Sequence, residues 1–252
     1  MFGIREGRKH MQRIALMVFR LFFKAIYYFI RIWWCSIRKD ISYEEGFRCA
    51  KTATIAANKA GRVTIEAHGL ENLPKKDGFI LFPNHQGLFD GLVFLESCPR
   101  SFTFVMKKEA ADIILLKQVR KALGALVIDR EDLRQSMKVI QTMTQEVGEG
   151  RNFLIFPEGT RSRQKNHTLE FKGGTFKSAV KAKCPIVPCA LIDSYLPFDG
   201  GGIAPVTVKI FYMKPLYYEE YKNMKTNQIA QEVKRRIDEV IAVNTSESSG
   251  CD

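Results

Sequence analysis

The residues best suited to chemistry lie in four short segments. In Pro83-Asn84-His85-Gln86-Gly87-Leu88-Phe89-Asp90, a histidine and an aspartate stand five positions apart. On a continuous helix they would diverge by about 140°, so they can meet only if the chain turns between them, and Gly87 permits such a turn. Asp90 could then accept the Nδ1–H of His85, fix its tautomer and leave Nε2 free as a base. The plainer reading is a loop histidine beside an aspartate at the start of a helix. The second segment is Lys107-Lys108-Glu109, taken with Gly124-Ala125-Leu126-Val127-Ile128-Asp129-Arg130. Lys107 and Arg130 close two different apolar runs, where they can share an anion or form ordinary surface ion pairs. The third, Phe156-Pro157-Glu158-Gly159-Thr160-Arg161-Ser162, displays a carboxylate, a flexible glycine and an arginine whose planar fork suits phosphate. Glu158 either holds a donor group or orders the loop, and Gly173-Gly174-Thr175 follows as a helix start that favours anions. The fourth, Ile186-Val187-Pro188-Cys189-Ala190-Leu191, is an apolar strand interrupted by proline, which indicates an edge or bulged strand.

These segments need a scaffold, and the apolar patterning supplies one. Strands are expected at Val63–Ala67, Phe79–Phe82, Phe102–Met106, Leu126–Asp129, Phe153–Phe156, Ile186–Ile192 and Val206–Phe211. Helices are expected at Leu88–Ser97, Asp112–Leu123, Asp132–Val147, Thr175–Lys183 and Asn227–Val243. Short strands alternating with helices predict an α/β fold, a central mostly parallel or mixed sheet flanked by helices. The four segments then sit at strand ends, where open α/β sheets place ligands. The expected division is an N-terminal helical segment over residues 1–60, an α/β domain over 61–243 with its own core, and a flexible tail over 244–252.

Net charge is +12, and residues 1–40 carry nine Lys/Arg against two acidic residues. The same stretch holds nine of the 28 aromatics and both tryptophans, Trp33 and Trp34. Arg20, Lys24 and Arg31 break every apolar run, so neither a membrane span nor a signal peptide is legible. At helical spacing Lys9, Arg13, Arg20, Lys24, Arg31 and Arg38 fall on one narrow stripe of an otherwise greasy helix that includes Phe22, Phe23 and Trp33. Such a helix can lie in the membrane interface with its cations reaching lipid phosphates. The alternatives are a helix packed on its own domain with a solvated face, and a tilted span with snorkelling cations. A second stretch, 42–60, has Ser42 and Glu45 at capping-box spacing and Gly61 to end it. The expectation is therefore an amphipathic two-helix membrane-binding segment. No nucleic-acid reader motif accompanies the basic charge. The six cysteines show neither metal-ligand spacing nor a disulfide framework, which suits a reducing cytosolic setting.

The order Asn-His-x4-Asp, Gly-x5-Arg, Phe-Pro-Glu-Gly-Thr-Arg-Ser and Val-Pro, over about residues 60–215, resembles the glycerolipid acyltransferase family, and within it the bacterial 1-acylglycerol-3-phosphate acyltransferases. The resemblance implies catalysis by His85 and Asp90, and binding of substrate phosphate by Lys107, Arg130 and Arg161. It further implies a structural or binding role for Glu158 and Gly159. Thr160 is the form found in lysophosphatidate enzymes, whereas Gly87 replaces a common serine, and the usual Leu and Pro after Lys107 are missing. The expected reaction moves an acyl group from an acyl-carrier-protein or coenzyme A thioester to the 2-hydroxyl of lysophosphatidic acid. It uses no metal, cofactor or acyl-enzyme, and takes place at the cytoplasmic face of the cell membrane. The alternatives are another lysolipid or glycerol-3-phosphate as acceptor, an acyl-thioester hydrolase, and a non-enzymatic lipid-binding protein.

Overall fold

In the computed structural model, residues 2–38, 40–113, 115–129 and 131–246 are described, with side chains from Gln12 to Thr245. Two long helices come first, α1 (Phe2–Ile37) and α2 (Tyr43–Ala60). Next come β1 (Val63–His68), β2 (Ile80–Pro83), α3 (Asp90–Ser97), β3 (Thr103–Lys107), α4 (Leu116–Ala122), β4 (Leu126–Ile128), α5 (Leu133–Gly148) and β5 (Phe153–Leu154). The chain ends with α6 (Lys177–Ala182), β6 (Ile186–Ile192), α7 (Leu196–Asp199), β7 (Val206–Tyr212), α8 (Tyr218–Tyr221) and α9 (Thr226–Ser246). The strands form one seven-stranded sheet in the order β1-β7-β6-β2-β5-β3-β4. Every neighbouring pair is parallel except β6–β7. The fold is thus α/β, with a mostly parallel mixed sheet between helices.

Burial explains the strand patterns. β2 and β6 are apolar throughout and buried at every position, as strands covered on both faces must be. β6 is nonetheless an interior strand, so the edge reading prompted by Pro188 is corrected. On its β7 side, Ile186 bridges Leu216, the regular ladder runs from Cys189 to Ile192, and residues 213–215 loop out between them. Pro188 occupies that interruption, where its missing N–H breaks no regular pair, and its carbonyl still accepts from the Met213 amide at 3.0 Å.

The sheet separates two apolar layers. One contains α3, Phe94 against Phe102, and the inner faces of α1, α2 and α4. The other packs α5, α6 and α9 over Phe82 of β2, Phe153 of β5, and Ile186, Ala190 and Ile192 of β6. The first layer includes Met17, Cys35, Phe47, Cys49 and Ala50, so the core is not confined to residues after 61. At the other terminus α9 continues through Ser246, with Thr245 Oγ1 donating to the Ile241 carbonyl at 2.7 Å. Helix thus extends into the stretch expected to be tail, and residues 247–252 lie outside the described residues.

The basic stripe of the N-terminal helix faces its own domain in part, with Arg13 buried and Arg20, Lys24, Arg31 and Arg38 exposed. Arg13 is 1% exposed and donates to the carbonyls of Gly61 at 2.6 Å, Ala204 at 2.8 Å and Pro197 at 3.0 Å. Arg20 reaches the Ala60 carbonyl at 3.2 Å, and Arg31 meets the Cys49 sulfur at 3.4 Å. Arg38 pairs with Asp40. The physical reason is local. The last carbonyls of α2 lack helical partners and carry the negative end of its dipole, and arginines on the adjoining helix satisfy them. Burial also pushes the Arg13 guanidinium down from its usual range, as does the nearby charge of Arg62. Lys24 stays exposed, and the Lys9 side chain lies outside the described residues. Large apolar side chains also face outward: Phe22, Phe23, Trp33 and Trp34 are all exposed, Phe23 by 82%. Among the described residues no helix is long and apolar enough to cross a membrane.

Candidate active site

The parallel strands β6, β2, β5, β3 and β4 end along one edge of the sheet, and the loops that leave it carry the chemistry. β2 stops at Pro83, yet its line is prolonged by a side chain. The Asn84 carboxamide accepts the Leu191 amide at 2.7 Å and donates to the Leu191 carbonyl at 3.0 Å, replacing the pair that a longer β2 would have made. The loop therefore leaves the sheet from a fixed point.

It then turns back on itself. Asp90, the first residue of α3, is fully buried. Its carboxylate accepts the Gln86 amide at 2.7 Å and the Gly87 amide at 3.1 Å, reaching upstream where a helix-capping aspartate ordinarily reaches downstream. This reversal overcomes the helical divergence: His85 Nδ1 lies 2.7 Å from Asp90 Oδ2. A fourth donor comes from just past the end of β6. The Ser194 hydroxyl lies 2.6 Å from Asp90 Oδ1 and 2.9 Å from Gln86 Oε1. Its one proton goes to the charged and closer oxygen, while Gln86 Oε1 accepts the Ser194 amide at 2.9 Å. Gly87 leaves room here, since a Cβ would run into the Asp199 carboxylate and approach Tyr195.

The third motif clamps the histidine from the other side. Phe156 stacks on the His85 ring with centroids 4.0 Å apart, and the Ser162 amide donates to the His85 carbonyl at 2.8 Å. Glu158, 1% exposed, accepts the His85 amide at 2.7 Å and the Leu169 amide at 3.1 Å. Of the two roles open to Glu158, its contacts are those of loop ordering: both oxygens are committed to backbone amides of two loops. Burial pushes its carboxyl up to about 6, against the pull of those two amides. Gly159 supplies the φ of 75° at which this turn closes, with its amide on the Phe156 carbonyl at 3.1 Å.

His85 Nδ1 is thus engaged, and the ring, with its side chain 21% exposed, offers Nε2 as its free nitrogen. The amides of residues 85–87 are all engaged and unavailable to a ligand. Arg161 sits half-buried beside Ser162 in the clamp, with no ion pair to a described residue. Lys107 closes β3 at the same edge, two strands from β2 and so about 10 Å along the sheet. It is exposed and paired with Glu109 at 2.8 Å. Arg130 lies outside the described residues, just past Asp129, which pairs with Lys108 at 3.0 Å. Sequence reasoning missed the network behind the histidine. Gln86 Nε2 donates to Asn166 Oδ1 at 2.8 Å, and Asn166 in turn holds Asp193 at 2.9 Å. Asn84 and Gln86 stood inside a recognised motif without a role, and Ser194 had no local signal.

Comparison with known proteins agrees with this geometry. A family model described as Acyltransferase matches residues 64–192, just over half of the chain. A 1-acyl-sn-glycerol-3-phosphate acyltransferase of Borreliella burgdorferi is 31% identical over 132 residues, covering 52% of this chain and 52% of that protein. A Helicobacter pylori protein of the same name is 33% identical over 140 residues, covering 55% and 52%. The chain spans about half the length of the curated relatives it matches. The crystal structure of the 1-acyl-sn-glycerophosphate (LPA) acyltransferase PlsC from Thermotoga maritima superposes with a TM-score of 0.71 at 22% identity, covering 95% of this chain and 98% of that one, so the two share a fold. The family match spans the histidine loop, the third motif and β6 together, and the chain belongs to the acyltransferase family.

Proposed function

We propose that this chain transfers a fatty acyl group from an acyl thioester to the 2-hydroxyl of 1-acylglycerol-3-phosphate, giving phosphatidic acid. The observation that carries the reading is the pairing of an accessible histidine with a fully buried aspartate, 2.7 Å apart at the sheet edge. Asp90 holds the Nδ1–H tautomer, and His85 Nε2 takes the acceptor's hydroxyl proton as the oxygen attacks the thioester carbonyl. The tetrahedral intermediate collapses, the C–S bond breaks, and the imidazolium returns its proton to the departing thiolate. Asp90 stabilises the imidazolium between these two transfers. The acyl group passes directly between substrates, so much of the acceleration comes from holding both in place. Arg161, with Lys107 and Arg130, receives the acceptor's phosphate. Glu158 and Gly159 shape the clamp that presents Arg161. With the amides of residues 85–87 occupied, the oxyanion falls to the amides that follow Gly159. The names of the two bacterial relatives support this choice of acceptor.

The outward apolar face of α1 is proposed to lie in the cytoplasmic leaflet, bringing the site to its lipid acceptor. The face is aromatic and aliphatic along its length, and Arg13 of the basic stripe is buried against the protein. Attachment then rests on apolar burial more than on charge. The test is a panel of acceptors offered with radiolabelled acyl thioester to the purified full chain on vesicles. Lysophosphatidic acid should outpace glycerol-3-phosphate and phosphate-free lysolipids. Thioester cleavage that ignores the acceptor would identify a hydrolase instead.

A further inference from the structure

We infer that Ser194 is a positioning residue for the proton transfer: it sets the orientation and charge of Asp90 and, through Asp90, the basicity of His85. This rests on the acyl-transfer reading and adds a member to its His85–Asp90 pair. The two oxygens of Asp90 are served unequally. Oδ2 has His85 Nδ1 at 2.7 Å, the Gln86 amide at 2.7 Å and the Gly87 amide at 3.1 Å. Oδ1 receives the Ser194 hydroxyl at 2.6 Å, and otherwise only a share of the same Gly87 amide at 3.2 Å. Asp90 is fully buried, so bulk water does not replace a donor lost from Oδ1. Ser194 is fully buried as well, which turns its hydroxyl to the aspartate and away from any substrate.

A strained turn brings Ser194 to this place. β6 ends at Ile192, and Asp193 takes a left-handed backbone with φ of 62°, which side-chain-bearing residues rarely adopt and aspartate tolerates better than most. Asn166 holds the turn from the other loop. Its Oδ1 accepts the Asp193 amide at 2.9 Å, and its Nδ2 donates to the Asp193 carboxylate at 2.9 Å. One residue on, Gln86 Oε1 accepts the Ser194 amide at 2.9 Å and leaves the hydroxyl aimed at Asp90. Gln86 is itself fixed, donating to the Leu191 carbonyl at 2.9 Å and to Asn166 Oδ1 at 2.8 Å. Strained backbone that its neighbours hold in place beside a reactive pair points to a geometry that the site requires.

A donor on Oδ1 does two things. It fixes the plane of the carboxylate, so that Oδ2 stays aligned with the Nδ1–H of His85. It also draws negative charge away from the oxygen that faces the ring, so the imidazolium gives up its proton to the departing thiolate more readily. Other charged groups face the same loop: Glu158 at the His85 amide, Asp199 beside Gly87, Asp193 behind Asn166, and Arg161 on the clamp. Glu158, with its carboxyl pushed up to about 6, titrates near the histidine range. These groups are unchanged by substitution at 194, so the role of Ser194 is read as a difference between two proteins.

The test compares Ser194→Ala with wild type, as the full chain on vesicles. Losing one hydrogen bond to a charged group should lower kcat about tenfold, with KM for lysophosphatidic acid and for the thioester held within about twofold. The acid limb of kcat/KM against pH should move up by about one unit. Ser194→Thr restores the hydroxyl and should return both quantities toward wild type. Asn166→Ala frees the Asp193 turn and should shift them in the same direction as Ser194→Ala, by less. A residue that only fills space would lower the melting temperature without moving the limb. The ring itself is followed by NMR titration of 15N-histidine-labelled protein, with His85→Gln to assign its signals among the four histidines. That titration needs no turnover. A His85 titration that Ser194→Ala moves, in a protein that transfers no acyl group, would sink the acyl-transfer reading and leave the Ser194–Asp90–His85 coupling standing. Should Ser194→Ala unfold, Ser194→Cys, whose thiol is a weak donor, must move the titration in the same direction. An unmoved limb together with an unmoved His85 titration overturns the proposal, and so does a loss confined to KM or to melting temperature.

Discussion

Two buried charges, one in the histidine loop and one in the N-terminal helix, are satisfied in nearly the same way and put to different use. Asp90 is fully buried and takes its donors from two backbone amides, a serine hydroxyl and an imidazole. Arg13 is 1% exposed and gives its protons to three backbone carbonyls. In each case hydrogen bonds offset the cost of removing the ion from water. The difference lies in the last partner. One of Asp90's is a partly exposed ring that can exchange a proton, so its charge is coupled to chemistry. Arg13's partners are all carbonyls that can do nothing but accept, so its charge is a tether between α1, the start of β1 and the segment before β7.

That contrast predicts separable failures. Asp90→Asn should cost the most, roughly 10⁴-fold in kcat, because the amide no longer fixes the reactive tautomer. Acyl transfer by the purified variant on vesicles measures it. Next in size is the outward face of α1. Changing Phe22, Phe23 and Trp33 to serine removes three aromatic contacts, each contributing about 1.5–3 kcal/mol when buried in an apolar phase. Vesicle affinity should therefore fall a hundredfold or more, while salt alone should barely release wild type. Arg13→Met should leave vesicle binding intact and lower folding stability by roughly 2–4 kcal/mol, as carbonyls lose their donors. Chemical denaturation reads that loss, and activity should fall only as far as the fold does.

The smallest expected effect is a pH dependence at Glu158. Its carboxyl is pushed up to about 6 by burial, so the folded protein binds that proton more tightly than the unfolded chain does. The associated stability is fully present below the ordinary carboxylate range and is lost as pH rises through about 6, an amount of about 2 kcal/mol. Thermal melts across that range should show the slope in wild type and lack it in Glu158→Ala. A flat wild-type profile would mean that the clamp is solvated.

The asymmetry between Asp90 and Arg13 also explains what the sequence could disclose. His85 and Asp90 are five residues apart, so their meeting is a question of local turn chemistry, and Gly87 advertises the turn. All seven strands and seven of the helices follow from apolar runs, spacing and caps for the same reason. Arg13 bonds to residues 48, 184 and 191 positions away. Helical periodicity placed it correctly on a stripe with Arg20 and Arg31 but said nothing of which side of that stripe the protein would occupy. Ser194 is hidden likewise, 104 residues from the aspartate it serves. Glu158 was visible within its motif. Its burial was not, because a carboxylate that orders two loops and one that greets a ligand look alike in a string of letters.

The most direct test of the central claim is the rate of acyl transfer by His85→Ala beside wild type, on the same vesicles with the same thioester and lysophosphatidic acid. Loss of the general base should lower the rate by about 10²–10⁴-fold, with melting temperature and vesicle sedimentation unchanged. A His85→Ala protein that transfers acyl groups at the wild-type rate would contradict the account.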